Sequence, residues 1–335
     1  MTIATPPTHV TLPSGDRMPL VGLGCWQSEP EALTTAVAHA IKVGHRHIDG
    51  ATIYGNEEAL GEGIKQSGVN RKDLWVTTKL WNGKSNTTRI TAICCLLMLP
   101  LGGYIDDHRP EDVIKACKRS LELLGLDYID LWLMHYPAAT DTNPNDYNDI
   151  KVLDIPYTET WKAMEECVNK GLAKNIGISN YSRIELENLW NNCRIKPAVH
   201  QLERHPYLPQ NAFMKYHKEI GLHVTAYSPL GNTNPSFADR DPLPPIQKNS
   251  AVVALAAKYG ISPANVLISL QVSEGCSVLP KSVTPKRIEE NLKVVQLTEV
   301  DIRSIADATK GQRARYCDFS EIIGYKYYEG LDDSD

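Results

Sequence analysis

The sequence lacks most of the features that place a chain in a specialised class at sight. Its longest apolar run, residues 92–101 (AICCLLMLPL), is about half of what a membrane-spanning helix needs. The first residues (MTIATPPTHV) show no charged start followed by an apolar core, so no secretory leader is expected. Eight cysteines, at 25, 94, 95, 117, 167, 193, 276 and 317, form no CxxC and no Cys/His spacing, which excludes the common zinc sites. Apart from the adjacent Cys94 and Cys95 they are scattered and read as reduced thiols. A net charge of −5 gives no electropositive surplus for nucleic acid or an anionic membrane. No GxGxxG follows a strand-like segment, GLGCW not being that fingerprint, which argues against a Rossmann domain. There is no internal repeat and no low-complexity linker. These absences lead to the expectation of a soluble, cytoplasmic protein with no metal and with neither nucleic acid nor membrane as partner.

What is present is an ordinary globular composition over 335 residues, with 42% hydrophobic and 22% charged residues, ample for a large core. A hairpin-like start (HVTLPSGDRMPLV, Ser-Gly at the turn) precedes alternating strand and helix signals. Strands are expected at 20–23, 46–49, 74–79, 128–135, 174–179, 198–202, 223–227 and 277–280. Helices are expected at 31–42, 57–65, 111–124, 157–169, 183–190 and 211–220, several with apolar residues three and four apart. Eight such units predict an α/β protein, a single (β/α)8 TIM barrel spanning residues 1–335, with an N-terminal β-hairpin and a C-terminal tail of substrate loops. The acidic end LDDSD is expected to fray.

Polar groups stand at nearly every expected strand end: Gly24-Cys25-Trp26, Asp49, Lys79, His135, Ser179-Asn180, Gln201, Tyr227-Ser228 and Lys281-Ser282. In a barrel these ends converge on one face, where catalysis occurs. Asp49, Tyr54, Lys79 and His135 form a set suited to proton transfer onto a carbonyl oxygen. A free phenol has a pKa of about 10, so Tyr54 needs help as a general acid; Lys79, ion-paired with Asp49, favours the phenolate. His135 can donate a hydrogen bond to the same oxygen. Singly, each has a blander reading: a salt bridge, a helix cap, a core histidine. Convergence of all four at one mouth favours the chemical reading.

The segments HIDGATIYGNEEALGEGI, VTTKLWN, DYIDLWLMHYP, GISNYS, AYSPLG and LPKSVTPKRIEEN, in that order, closely resemble the aldo-keto reductases from about residue 12 to about residue 297. TWKAMEE, ISPANVLISLQV and CDFSEIIGYKYYEGL lend a similarity to fungal-type NADPH-dependent reductases of aldehydes, sugars and glycerol-type carbonyls. The resemblance implies NADP(H) as cofactor and reversible reduction of a small aldehyde or sugar carbonyl, with Tyr54 as acid and Asp49, Lys79 and His135 beside it. It implies that Ser179, Asn180 and Gln201 hold the nicotinamide carboxamide and that Tyr227 stacks on the ring. Ser228, Leu230 and Asn232 would follow the pyrophosphate, with Gly24, Cys25 and Trp26 completing the rim. Lys281, Ser282, Thr284 and Arg287 would take the 2′-phosphate, and Glu290 and Asn291 the adenine. An arginine grips phosphate bidentately, although KSVTPKRIEEN also reads as an ordinary basic helix start with Pro285 in its first turn. Trp26, Trp81, His135 and Tyr136 would line the substrate pocket, with loops 138–156 and 232–245 and the tail setting substrate choice. Departures from the family pattern are Gly50 after the aspartate, Tyr136 where tryptophan is common, and His200 where asparagine commonly precedes the glutamine. The expected partner is a small carbonyl compound, and the expected assembly a monomer or weak homodimer.

One segment breaks the alternation. Residues 83–105 begin Gly-Lys-Ser, which codons of a 5′ splice-site type can encode, and excising them restores the family's run from KLWN to DDHRPEDV. Two readings stand: a short retained intron, or a real insertion forming a lid. The second leaves an alternative function open, a non-catalytic NADP(H)-binding barrel obstructed by the insertion. Hydrolase or isomerase chemistry on the same fold lacks a metal or paired-carboxylate signature.

Overall fold

Strands of a parallel barrel are covered on both faces, and two of them are enclosed along their whole length. They are β5 (Trp75–Leu80) and β6 (Ile129–Met134), every residue of which is buried. The computed structural model describes residues 5–83, 107–143, 146–231 and 243–329. Around β5 and β6 stand β3 (Leu23–Gly24), β4 (His47–Asp49), β9 (Ala173–Ser179), β10 (Val199–Glu203), β11 (His223–Tyr227) and β12 (Ser277–Leu279). Hydrogen bonding runs β12-β11-β10-β9-β6-β5-β4-β3, parallel throughout. Parallel bridges Val21–Val278 and Gly24–Lys281 join the first strand to the last and close the barrel. All eight expected strands are found.

A hairpin of β1 (His9–Thr11) and β2 (Arg17–Pro19) precedes the barrel. Leu12 and Met18 pack with Trp75, Leu131 and Val199, and Asn175 donates to Asp16 at 2.8 Å. Trp75 and Val199 are the first residues of their strands, so the hairpin plugs the N-terminal mouth. Chemistry is left to the other mouth, as in barrels generally.

The outer layer consists of α1 (Pro30–Lys42), α2 (Glu57–Ser67), α3 (Pro110–Leu124), α4 (Tyr157–Asn169), α5 (Arg183–Asn192), α6 (Asn211–Ile220), α7 (Ser250–Tyr259), α8 (Pro263–Ser273), α9 (Pro285–Glu290) and α10 (Glu299–Thr309), with a last turn α11 (Ser320–Ile323) in the tail. Proline opens α1, α3, α8 and α9, where its missing N–H costs nothing. Ser182 with Glu185, and Thr298 with Asp301, form capping boxes that start α5 and α10. Trp132 and Trp161 are fully buried in the main core between the strands and α3–α5. Among the described residues no single helix is long and apolar enough to cross a membrane.

The expected substrate loop 138–156 contains an antiparallel pair, β7 (Thr140–Asn143) and β8 (Asp146–Val152), which sequence reading did not foresee. Gly83, the first residue of the odd segment, is buried so close to Thr140 that a Cβ would overlap the Thr140 carbonyl. The rest of that segment lies outside the described residues, as do Asn232 and most of loop 232–245.

Candidate active site at the C-terminal mouth

Asp49 ends β4, Lys79 is the penultimate residue of β5, and His135 follows β6 directly. Tyr54 closes a single 3-10 turn, Thr52–Tyr54, just beyond β4. The Thr52 hydroxyl donates to the Lys79 carbonyl at 2.9 Å, tying the turn that carries Tyr54 to the lysine strand. The Lys79 ammonium is fully buried; it donates to Asp49 Oδ1 at 2.5 Å and to Gly50 O at 2.7 Å. Gln201 Nε2 donates to Asp49 Oδ2 at 2.8 Å, so both carboxylate oxygens are occupied. A buried charge is tolerated when it is paired and its remaining capacity is met, and this one is. Lys79 Nζ also lies 5.2 Å from the centroid of the Tyr54 ring. The Tyr54 and His135 rings meet edge-on at 6.0 Å. The four expected residues therefore form one cluster.

Burial, helped by the Lys79 cation, holds the His135 imidazole well below the usual histidine range, so it is neutral at neutral pH. Its Nδ1 is buried without a partner among the described residues. A lone buried N–H is rarer than a lone buried acceptor, which favours the tautomer with the proton on Nε2. Behind Lys79 sits a group absent from the sequence reading. The buried Glu57 carboxyl accepts Thr78 Oγ1 at 2.7 Å and Ser120 Oγ at 3.3 Å, and burial pushes its pKa up. Glu57 in YGNEEAL was readable only as a helix-start acid; its burial required the tertiary fold.

The expected cofactor residues divide in two. At the barrel centre, Asn180 Nδ2 donates to His135 O at 2.9 Å and to Ser179 Oγ at 3.0 Å, while Tyr227 donates to Asn180 Oδ1 at 2.7 Å. At the rim, the bridge between Gly24 and Lys281 places the ends of β3 and β12 side by side, and Lys281 Nζ donates to Gln27 O at 3.0 Å. Lys281, Thr284 and Arg287 are exposed, Ser282 and Asn291 are buried, and Glu290 lies between. Trp26, Ser228 and Leu230 are half-buried on the same mouth. Cys25 is fully enclosed: its N–H bonds Asp49 O, its carbonyl takes Asn56 Nδ2, and burial raises its thiol pKa strongly.

Trp81 meets His135 edge-on at 5.3 Å and Tyr136 at 6.2 Å, and Tyr136 stacks on His135 at 5.2 Å. The tail completes this wall. Tyr327 lies 4.8 Å and Phe319 6.3 Å from Tyr136, ring to ring, and the Tyr328 hydroxyl reaches Asn180 Oδ1 at 3.4 Å. The tail is clamped by buried Glu203, whose carboxylate accepts the backbone N–H groups of Tyr316 and Cys317 at 2.8 and 2.9 Å. These tail residues were not singled out from sequence, although the aromatic run GYKYY was a signal.

Comparison with known proteins agrees with this architecture. A profile of the aldo/keto reductase family matches residues 20–310. An uncharacterised oxidoreductase of Schizosaccharomyces pombe is 40% identical over 313 residues, covering 92% of this chain and 90% of that protein. Human aldo-keto reductase family 1 member A1 is 41% identical over 299 residues, covering 86% of this chain and 85% of its own. Among solved structures, a Bombyx mori aldo-keto reductase in complex with NADP superposes with a TM-score of 0.82 at 32% identity, covering 97% of this chain and 99% of that one. With its closed eight-stranded barrel and a profile match over most of its length, the chain belongs to the aldo/keto reductase family of oxidoreductases.

Proposed function

We propose that this chain reduces a small aldehyde or sugar carbonyl to the alcohol, reversibly, with NADP(H) as cofactor. The observation that carries the reading is Lys79, held by Asp49 and Gly50 with its ammonium 5.2 Å from the Tyr54 ring. The residues present fit the cofactor. Exposed Lys281 and Arg287, beside the Ser282 and Thr284 hydroxyls, suit the 2′-phosphate. Glu290 and Asn291 would border the adenine; Ser179, Asn180 and Gln201 would hold the carboxamide and Tyr227 its ring, with Ser228 and Leu230 along the pyrophosphate. When bound, NADPH supplies a hydride to the carbonyl carbon.

The protein's own groups handle the oxygen. Tyr54 donates its proton to it, and the Lys79 cation favours the phenolate left behind. Asp49, gripped from both sides, holds that lysine in place. His135, neutral, donates a hydrogen bond to the same oxygen, where negative charge develops. Trp81 and Tyr136, with the tail tyrosines, exclude water from the reacting centre. The buried thiols of Cys25, Cys117, Cys167, Cys276 and Cys317 suit the reducing cytoplasm, where the protein works as a monomer or weak homodimer.

Tyr54→Phe removes the acid and keeps the ring. Aldehyde reduction is expected to fall about a thousandfold, within the usual range for a positioned proton donor, while NADPH binding, read by quenching of protein fluorescence, stays near normal. Glyceraldehyde turnover within about tenfold of the unmodified enzyme would exclude Tyr54 as the acid.

A further inference from the structure

On β9 and β10, neighbouring residues face opposite ways. Gln201 points into the barrel and reaches Asp49. His200, one residue earlier, points out toward α6 and is fully buried there. Asn180 is in the left-handed region, with φ of 61°, so the chain leaves the β-ladder at this residue. The Asn180 N–H still bonds Gln201 O at 3.1 Å. The next N–H, that of Tyr181, points into the outer layer, where Tyr181 is 1% exposed. It would be an orphaned buried donor, which folded proteins rarely tolerate, were it not for His200 Nε2 at 3.2 Å.

That contact fixes the tautomers along a chain. A backbone N–H can only donate, so His200 Nε2 carries no proton and its Nδ1 does. His200 Nδ1 lies 2.7 Å from His217 Nε2, which must therefore accept. The His217 proton is then on Nδ1, which lies 2.6 Å from the Phe213 carbonyl, an obligate acceptor. Both ends agree, and no other assignment satisfies every atom. Burial holds both imidazoles below the ordinary histidine range, consistent with two neutral rings.

We propose that His200 and His217 form a neutral relay of two imidazoles, both protonated on Nδ1, that positions Asn180 for the cofactor from outside the barrel. Both are positioning residues. His200 holds the Tyr181 N–H, that bond holds the left-handed turn, and the turn presents the Asn180 amide at the barrel mouth. The second imidazole is needed because a lone His200 could put its proton on Nε2, turning its acceptor into a donor. The relay governs how tightly the nicotinamide end is held and leaves proton transfer at Tyr54 untouched. The proposal rests on the reading of Asn180 as a cofactor contact.

The test uses the full-length enzyme labelled with 15N-histidine, the two resonances being assigned with His200→Asn and His217→Gln. Both rings should show the Nδ1–H pattern at neutral pH; an Nε2–H or charged pattern for either would overturn the relay. In parallel, NADPH affinity and steady-state constants are measured. His200→Leu, which has no acceptor, should weaken NADPH about tenfold, the loss of one buried partner, with kcat at saturating cofactor nearly unchanged. His200→Gln, whose side-chain oxygen reaches the place of Nε2, should recover most of that affinity. Affinity in His200→Leu within about twofold of the original would overturn the proposal, and so would an equal loss in His200→Gln. Should His200→Leu not fold, His217→Leu serves: it frees the first ring to switch tautomer and should weaken NADPH, whereas His217→Gln should not. Equal affinities in those two variants would also overturn the relay. Asn180→Ala separates the two readings. Unchanged NADPH affinity there, with the Nδ1–H patterns intact, would sink the cofactor role of Asn180 and spare the tautomer assignment.

Discussion

A Cβ added at position 50 would lie 2.8 Å from Leu60 Cδ1, and the carbonyl of the same residue accepts the Lys79 ammonium. That neighbour is the tip of a side chain that can turn aside, and nothing in the structure explains the departure from the family pattern at Gly50. Asp49 gives one oxygen to Lys79 and the other to Gln201, so that the charge pair and β10 share an anchor. Arg287 is fixed differently. It is exposed, and its role rests on its charge and its fork of donors. A charge-assisted bond to phosphate contributes about 1.5–3 kcal/mol, and exposure reduces this toward the lower end. Replacing Arg287 with Ala is therefore expected to raise KM for NADPH roughly tenfold and to leave KM for NADH within about twofold. Equal losses for both cofactors would show that Arg287 does not read the 2′-phosphate.

Between elements, α2 approaches the end of α3 so closely that a Cβ on Gly61 would overlap the Leu124 carbonyl. The obstacle is backbone and cannot rotate aside. Gly61→Ala should cost about 1–3 kcal/mol and lower Tm by several degrees; a Tm within about one degree of the original would show that the helices can slide apart. The glycine is plain in the sequence, but its neighbour is not, because the contact joins separate helices. Other features divide along the same line. The barrel was legible because strands such as IDLWLM are enclosed on both faces and keep their apolar signature without any partner's help. The four catalytic candidates were legible because barrel geometry brings strand ends together whatever their spacing in the chain. The β7–β8 pair was not, since its first strand, TDTN, shows no apolar alternation. Helix α8 carries no stripe because residues 265–272 are buried all round. Glu203's hold on the tail and His200's hold on Tyr181 were invisible for a further reason: each joins a side chain to backbone N–H groups, which every sequence contains.

For the whole molecule, the remaining question is whether residues 83–105 belong to the working protein. Residue 82 and residues 107–108, on either side, are anchored to other parts of the barrel. Asn82 donates to Ala138 O at 2.6 Å, and its carbonyl takes the Thr140 N–H at 2.7 Å. Asp107 and His108 are buried, and Thr160 donates to His108 O at 2.7 Å. Helix α3 then begins at Pro110, a stop-and-start signal of its own. Lys79, three residues before Asn82, is held by Asp49 and Gly50 on the neighbouring strand end. Joining Asn82 directly to Asp106 would leave a short connection of the length common between a barrel strand and its helix. We propose that 83–105 is a retained intron, its removal restoring the ordinary run KLWN–DDHRPEDV. The expected outcome is that mature transcripts lack the segment. Protein made without it should express at higher soluble yield, because AICCLLMLPL is lost, and should reduce glyceraldehyde with NADPH at least as fast as the full chain. A mature transcript that retains the segment, together with loss of kcat on its deletion, would sink the intron reading and make the insertion part of the enzyme.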